Sequence, residues 1–460
     1  MFKLFARQHD MTNGNIYKSL IFFAIPILLG NLFQQLYSTA DAIMVGQFAG
    51  EEAFAAIDSV FNLTKLPMQI FIGIASAGSI LISKCFGAKD NEGIMEYGRC
   101  MMLLAIVSGI LTSIFMIVAL PFFLRMLNIP QGIYEITYQY TKIFFVGMTF
   151  AILFSLCTGI YQAIGNSGKP FLFLLISNLL NLLLDYIFLK MFSLGAGGAA
   201  TATVIAQGIA CFLMIFDLGR YLTKNQELNQ TSLISYRVNK AKLFEILSIG
   251  LPIGIQSVVY PIANMAVQSK INSFGTVSIA AWAVAGKLDF LIWLFISSME
   301  VATTTFIAQN IGANRNHRIK KGMFVSLSFT VFVIGLLSLI LFFQSETLSK
   351  IFVKNTEVIN LTKQMIYLIG LAYPISAIGG LCSAAIKGTG QTFYPMVISM
   401  FTTCVLRVSW VNLIYHYYPT IFAILFGYPL TWSINAIIIA IYAKIHISSF
   451  LKKSMEVKSK

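Results

Sequence analysis

The sequence predicts an all-α polytopic membrane protein, with twelve transmembrane helices in two six-helix bundles related by an internal pseudo-two-fold repeat. Three observations carry this. The 460 residues are 57% hydrophobic and 11% charged, with a mean hydropathy of +0.78, whereas soluble domains are about 45–50% apolar and about 25% charged. The apolar residues gather into twelve windows, each near the ~20 residues that cross a bilayer. Glycines and prolines recur in the two halves at one common spacing. No stretch long enough to form a water-soluble domain is free of apolar runs.

The windows fall near residues 17–45, 53–82, 98–120, 134–161, 171–189, 197–219, 243–268, 277–307, 323–344, 360–386, 395–415 and 420–444. The first, with no small-residue cleavage pattern after Leu20–Gly30, is expected to act as its own insertion signal. An even number of spans puts both termini on one side. Of 32 Lys and Arg, 22 fall on that side, among them Lys84, Lys89, Arg99, Arg315, Arg318 and the last five lysines. Six fall on the other. Basic residues mark cytoplasmic loops, so the termini are expected in the cytoplasm and the protein in the cell (inner) membrane.

The net charge of +14 is therefore mostly an orientation signal. It does not form the basic face with interleaved aromatics that nucleic acid requires, so no nucleic-acid partner is expected. The six cysteines have neither CxxC spacing nor a nearby histidine, and read as small apolar fillers.

The longest hydrophilic connection, near 220–242, separates the two sets of six windows. The expected organisation is an amino-terminal lobe over 16–220, a cytoplasmic linker over 221–242 and a carboxy-terminal lobe over 243–446. A shift of 225 residues aligns Gly50 with Gly275, Ala55–Ala56 with Ala280–Ala281, Gly87 with Gly312, Gly165 with Gly390 and Pro170 with Pro395; Pro26 and Pro252 match one residue out. Six spans per half preserve orientation, so the repeat is parallel. This architecture suits alternating access, with two bundles rocking about a central cavity.

Function should reside in the polar groups that these windows submerge, because an ionised side chain at the bilayer centre costs about 2.5–3.5 kcal/mol on insertion scales. The first window carries Asn31, Gln34, Gln35, Tyr37, Ser38 and Asp41, most on one helical face, and is interrupted by Pro26. A kinked helix with a polar stripe ending in an acid reads as a moving, water-lining part, although such a face also suits burial against neighbouring helices. The fifth window presents Asn178, Asn181 and Asp185 on one face, with Thr201 and Thr203 opening the sixth. Two carboxylates, an amide and a hydroxyl form a proton site if desolvation favours the neutral acids, or a sodium site if the oxygens act as ligands.

The second window holds Asp58, Asn62, Lys65 and Gln69 along one face. Asp58 and Lys65 are two turns apart, about 10 Å by helical rise, too far for a direct pair within the helix. This stripe reads either as a polar network tying helices together or as a transport feature, with Lys65 as counter-ion to an aspartate. The second half offers Gln256, Asn264 and Gln268 in window seven, Lys287, Asp289 and Glu300 in window eight, and Arg407 in window eleven. Asp289 or Glu300 is a candidate partner for Arg407. The aromatic residues and 19 methionines suit a compliant wall for large apolar ligands.

The run Gly30–Tyr37 leading to Asp41 and Gly46, the Ala55–Ala56 pair, the Gly87–Ala88 turn, Gly165-Asn166-Ser167-Gly168-Lys169-Pro170, and Asn181 followed by Asp185–Tyr186 resemble the multidrug and toxic compound extrusion (MATE) family over about residues 15–445. The resemblance implies a cation-coupled antiporter exporting organic, often cationic and amphipathic compounds, with H⁺ or Na⁺ as coupling ion and no other cofactor. It also implies an amino-lobe coupling site like that of the DinF-type branch. Asp41, Asn181 and Asp185 would be the ligands, Thr203 and Tyr140 their neighbours, and Pro26 the hinge. The glutamate that the NorM-type branch carries in span seven is missing from Ser257–Asn264, which puts a carboxy-lobe sodium site in doubt.

The expected partners are a small-molecule substrate and membrane lipid, with the chain acting as a monomer. A lipid-linked oligosaccharide or peptidoglycan-precursor flippase of the same superfamily is an alternative, in which Lys65, Lys287 and Arg407 would hold pyrophosphate; so is a dedicated metabolite exporter. An enzyme is not expected, because the four histidines form no nucleophile or metal constellation.

Overall fold

A chain this apolar must satisfy its backbone hydrogen bonds internally once it leaves water, and helices do so within each segment. The computed structural model describes residues 9–225 and 239–459, and every regular element among them is helical. The amino-terminal half contains α1 (Ile16–Phe48), α2 (Glu51–Ser59), α3 (Phe61–Ala88), α4 (Asn91–Met126), α5 (Gln131–Ala163), α6 (Gly168–Asp185) and α7 (Gly195–Asn225). The other half contains α8 (Lys240–Asn272), α9 (Thr276–Leu288), α10 (Phe290–Gly312), α11 (Asn316–Ser349), α12 (Thr356–Ile369), α13 (Tyr373–Gly388), α14 (Phe393–Ser399), α15 (Arg407–Tyr417), α16 (Ile421–Leu425) and α17 (Gly427–Ser459). Twelve helical stretches are long and apolar enough to cross a membrane, matching the twelve windows. The centre of the expected linker, 226–238, lies outside the described residues.

Two windows are not single rods. Window two breaks at Val60, between α2 and α3, and window eight breaks at Asp289, between α9 and α10. Hydropathy averaged over a whole span is blind to such a break, although polar residues flank both: Asp58, Ser59 and Asn62 at the first, Lys287 and Asp289 at the second. The helix α1, by contrast, runs through Pro26 without interruption. Past Asp185 the backbone widens into a π-helical turn over Tyr186–Met191, and another such turn, Met400–Leu406, precedes Arg407. Turns of this kind recur at functional sites because they re-aim the side chains beyond them.

The repeat is written into the backbone as well as the sequence. Gly50 and Gly275, each preceding a second-window helix, have φ of 91° and 90°. Gly165 and Gly390 have 80° and 91°, and Lys89 and Asn314 have 59° and 57°. These left-handed conformations are open to glycine at little cost and are uncommon for other residues. Three such pairs at the spacing read from the sequence mark two copies of one chain path.

By their internal packing the residues form two compact units, Met1–Asp10 with Ile25–Gly254, and Met11–Ala24 with Ile255–Lys460. The division falls inside α1, one residue before Pro26, and inside α8, two residues after Pro252. In the first unit α5 packs against α3, α4 and α7; in the second, α13 packs against α10, α11 and α17. The first half of α8 lies against α3 through its glycines, Gly250 and Gly254, which face Ile70, Gly73, Ile74 and Ala77. A Cβ added at Gly73 would stand 2.3 Å from the Gly254 nitrogen and 2.7 Å from the Gly250 oxygen. Small residues spaced four apart permit this approach, as in other membrane helix pairs.

Candidate functional site

The first unit gathers seven side chains from four helices at one place. The α6 spacing i, i+3, i+7 turns Asn178, Asn181 and Asp185 to one face, and all three are buried, with Asp185 at 0% exposure. Tyr37 and Asp41 arrive from α1 and Thr203 from α7. Beneath them an apolar floor of Val45, Ala53, Leu189, Ala196 and Ala199 carries Tyr140 from α5 against it.

Asn181 is the hub. With its amide nitrogen facing Asp185, it donates to Asp185 Oδ2 at 2.8 Å and to the Tyr37 hydroxyl at 2.5 Å, while its oxygen accepts from the Thr203 backbone N–H at 2.9 Å and hydroxyl at 3.2 Å. The carboxyl groups of Asp41 and Asp185 lie within hydrogen-bonding reach of each other. Oδ1 of each aspartate is buried without a hydrogen-bond partner, as is Nδ2 of Asn178. Tyr140 stands within electrostatic range of both acids. Thr201 turns back to its own helix, donating to the Gly197 carbonyl at 2.7 Å.

The second-window stripe is arranged differently. Asp58, Asn62 and Lys65 are exposed on the first unit, as is Gln34 on α1. Among the described residues no ion pair joins Asp58 to Lys65, whose ammonium instead sits 3.6 Å from the centroid of the Phe61 ring. Lys65 is therefore a cation held on an aromatic face rather than a bonded counter-ion to an aspartate.

In the second unit the expected pairing of Asp289 or Glu300 with Arg407 does not form. Asp289 Oδ2 accepts from the Trp293 indole at 3.0 Å and the Tyr373 hydroxyl at 2.9 Å. Glu300 is turned against Gly380, with Lys387 as its electrostatic neighbour. Arg407, fully buried, donates to Thr431 Oγ1 from Nε at 3.1 Å and Nη2 at 2.9 Å, and to Asn264 Oδ1 from Nη1 at 3.3 Å. Its guanidinium lies 4.3 Å from the Tyr428 ring centroid. Neutral acceptors and a ring face stabilise the charge in place of a carboxylate. Lys287 is exposed, and Gln256 is half-buried with its Oε1 unpartnered.

Sequence reasoning missed the ring cluster binding these groups together, in which Trp293, Tyr373, Tyr428 and Trp432 pack with centroids 5.5–6.1 Å apart. A signal was present, since all four tryptophans, Trp282, Trp293, Trp410 and Trp432, lie in the second half.

Comparison with known proteins places these features. The MatE family model matches twice, over residues 26–187 and 252–413, each match starting on a repeat-related proline. "Probable multidrug resistance protein YoeA" of Bacillus subtilis is 27% identical, over 92% of this chain and 93% of that protein. "Multidrug export protein MepA" of Staphylococcus saprophyticus is 22% identical, over 82% and 83%. A solved MATE in the bent conformation superposes with a TM-score of 0.89 at 21% identity, covering 99% of both chains. An outward-facing multidrug resistance MATE family transporter superposes at 0.86 and 20% identity, covering 97% of this chain and 99% of that one. These two likenesses establish the twelve-helix fold. With both halves matched by the family model, the chain is a multi-pass membrane protein that belongs to the MatE family.

Proposed function

We propose that this chain is a proton-driven antiporter of the cell inner membrane that exports amphipathic organic cations by alternating access of two lobes, 16–220 and 243–446, with both termini cytoplasmic. The observation that carries the reading is the Asp41–Asp185 pair. Two carboxyl groups within hydrogen-bonding reach repel each other when both are ionised, and a proton between them removes the repulsion. Their neighbours are neutral: an amide, two phenols and a threonine. Among the described residues neither acid has an ion-pair partner.

The same donor set makes a poorer sodium site. The Asn181 nitrogen occupies Asp185's side of the pocket, whereas a hard cation calls for oxygens converging on it. Protons entering from outside would neutralise the pair and loosen the Tyr37–Asn181 tie between α1 and α6. The part of α1 beyond Pro26 would then bend, with that proline as hinge. The driving force is adequate, since one charge crossing 100 mV is worth about 2.3 kcal/mol.

For the substrate, the support is the exposed stripe Gln34, Asp58, Asn62 and Lys65. Charged side chains at membrane depth face water rather than lipid, so the stripe reads as a cavity wall. Asp41 and Asp58 favour a cation there, and the methionine- and phenylalanine-rich surroundings favour apolar bulk. The chain would act as a monomer in contact with lipid, with no cofactor beyond the coupling ion and no enzymatic activity.

The test is dye efflux in a host lacking its main pumps. Wild type should clear an amphipathic cationic dye, while Asp41→Asn and Asp185→Asn, present in the membrane at equal amounts, should not. Export by the Asn variants at the wild-type rate would remove the pair from the mechanism.

A further inference from the structure

One group of polar side chains in the second unit has hydrogen-bonding capacity to spare and no part in the Arg407 cluster. It is built around Gly379 and Gly380, midway along α13. A Cβ added at Gly380 would collide with Glu300 Oε1 of α10, and one at Gly379 would stand 3.0 Å from Asn435 Nδ2 of α17. The two glycines thus let an acid and an amide from neighbouring helices lean over the α13 backbone. Ser383 follows three residues after Gly380 and Lys387 seven after, which keeps both on that side of the helix. Long side chains on a helix lean towards its N-terminus, a direction that carries the Lys387 ammonium back towards Glu300, and the two charges are electrostatic neighbours.

Each of these groups has bonds left to make. Among the described residues neither Glu300 nor Lys387 makes a hydrogen bond or an ion pair, with the other or with any third group. Ser383 is 6% exposed, and its Oγ has no hydrogen-bond partner. Asn435 Oδ1 accepts from Thr402 Oγ1 at 3.2 Å, while its Nδ2 donates to no described residue. The repeat shows that the fold does not require such a set. Under the 225-residue shift Glu300, Ser383, Lys387 and Asn435 correspond to Ala75, Thr158, Gln162 and Ala210. Ala75 and Ala210 are buried, and Thr158 donates within its own helix, to the Phe154 carbonyl at 2.9 Å. The first unit fills this place with small apolar and self-bonded residues. The second sets two opposite charges, an amide and a hydroxyl there, although polar groups left unpaired at such depth are costly.

We infer that Glu300, Ser383, Lys387 and Asn435 bind a small zwitterion, of which an α-amino acid is the simplest form. The unspent groups fix the class. The Glu300 carboxylate takes the ligand's ammonium, and the Lys387 ammonium takes its carboxylate, each a charge-assisted bond. The Asn435 N–H and the Ser383 hydroxyl serve the same carboxylate. A ligand with one charge leaves the opposite side chain unpaired. Glu300, Lys387 and Asn435 are half-buried rather than sealed, as entry of a solute requires. The site belongs to the second unit and the Asp41–Asp185 pair to the first, so this inference stands apart from the transport reading.

The test is ligand-dependent melting of the purified full chain in detergent, at one pH and ionic strength. The probes are L-alanine, L-serine and L-leucine, with propylamine and propionate as counterparts that carry one charge each. At least one amino acid should raise the melting temperature saturably, while propylamine and propionate at the same concentrations do not. Glu300→Gln and Lys387→Gln should each weaken the apparent Kd by about tenfold or more, and Lys190→Gln, in the other unit, should leave it within about twofold. No saturable rise with any of the three amino acids, an equal rise with propylamine or propionate, or an unchanged Kd in either variant would overturn the assignment. Where a variant does not fold, the wild-type contrast between zwitterion and single charge decides the matter by itself.

Discussion

Asn181 joins three helices through one amide, so its loss should be felt in both stability and coupling. Asn181→Leu deprives buried Asp185 Oδ2 of the nitrogen at 2.8 Å and the Tyr37 hydroxyl of its partner at 2.5 Å. The expected cost is about 1–3 kcal/mol, the penalty for a buried polar group left unpaired. It should appear as a lower melting temperature in detergent together with lost dye export. Asp185→Asn should melt close to wild type, because an amide still reaches Asn181, yet fail to export. At Arg407 the asymmetry runs the other way. Thr431→Val strips the acceptor from Nε and Nη2 and leaves a fully buried charge short of partners, at about 1.5–3 kcal/mol. Arg407→Met removes the charge with its needs and should cost less; a melting series that ranked them in the reverse order would refute this account. The spacing of Asn178, Asn181 and Asp185 made the first cluster legible in the sequence. The environment of Arg407 was not, because its partners are neutral and lie 24 residues ahead and 143 behind.

At the scale of elements, close approach is the controlling fact for α3 and α8. Gly73→Ala would drive a methyl group into the Gly254 backbone, which no side-chain rotation relieves. The expected result is a loss of about 1–3 kcal/mol or more, read as reduced yield and melting temperature. Gly46→Ala, where a Cβ would stand 3.9 Å from the Phe54 ring, serves as the tolerated control. The twelve windows were readable because a bilayer imposes a length and a polarity on each span. The breaks at Val60 and Asp289 were not, since the polar residues beside them do not lower the average hydropathy of the span enough to divide it. The contacts of residues 11–14 with Gln309, Asn310, Arg315 and Arg318 were equally hidden: most are made to backbone carbonyls, which every sequence possesses.

For the whole molecule the repeat organises everything else. Gly50 with Gly275 and Gly165 with Gly390 could be aligned from sequence because their left-handed backbones demand the same residue in both copies. Chemistry has diverged over that shared path. The first unit keeps an aspartate pair on an asparagine hub, and the second replaces it with a buried arginine, a ring-bound aspartate and all four tryptophans. The proposed coupling site thus belongs to one half of a molecule whose halves share one chain path. The most direct test is substrate-driven proton movement in vesicles reconstituted with the purified chain, carrying an imposed pH gradient, an interior pH dye and no sodium. The account predicts that adding an amphipathic cation dissipates the gradient with wild type and not with Asp41→Asn or Asp185→Asn. Dissipation that requires sodium, or that persists in both variants, would contradict it.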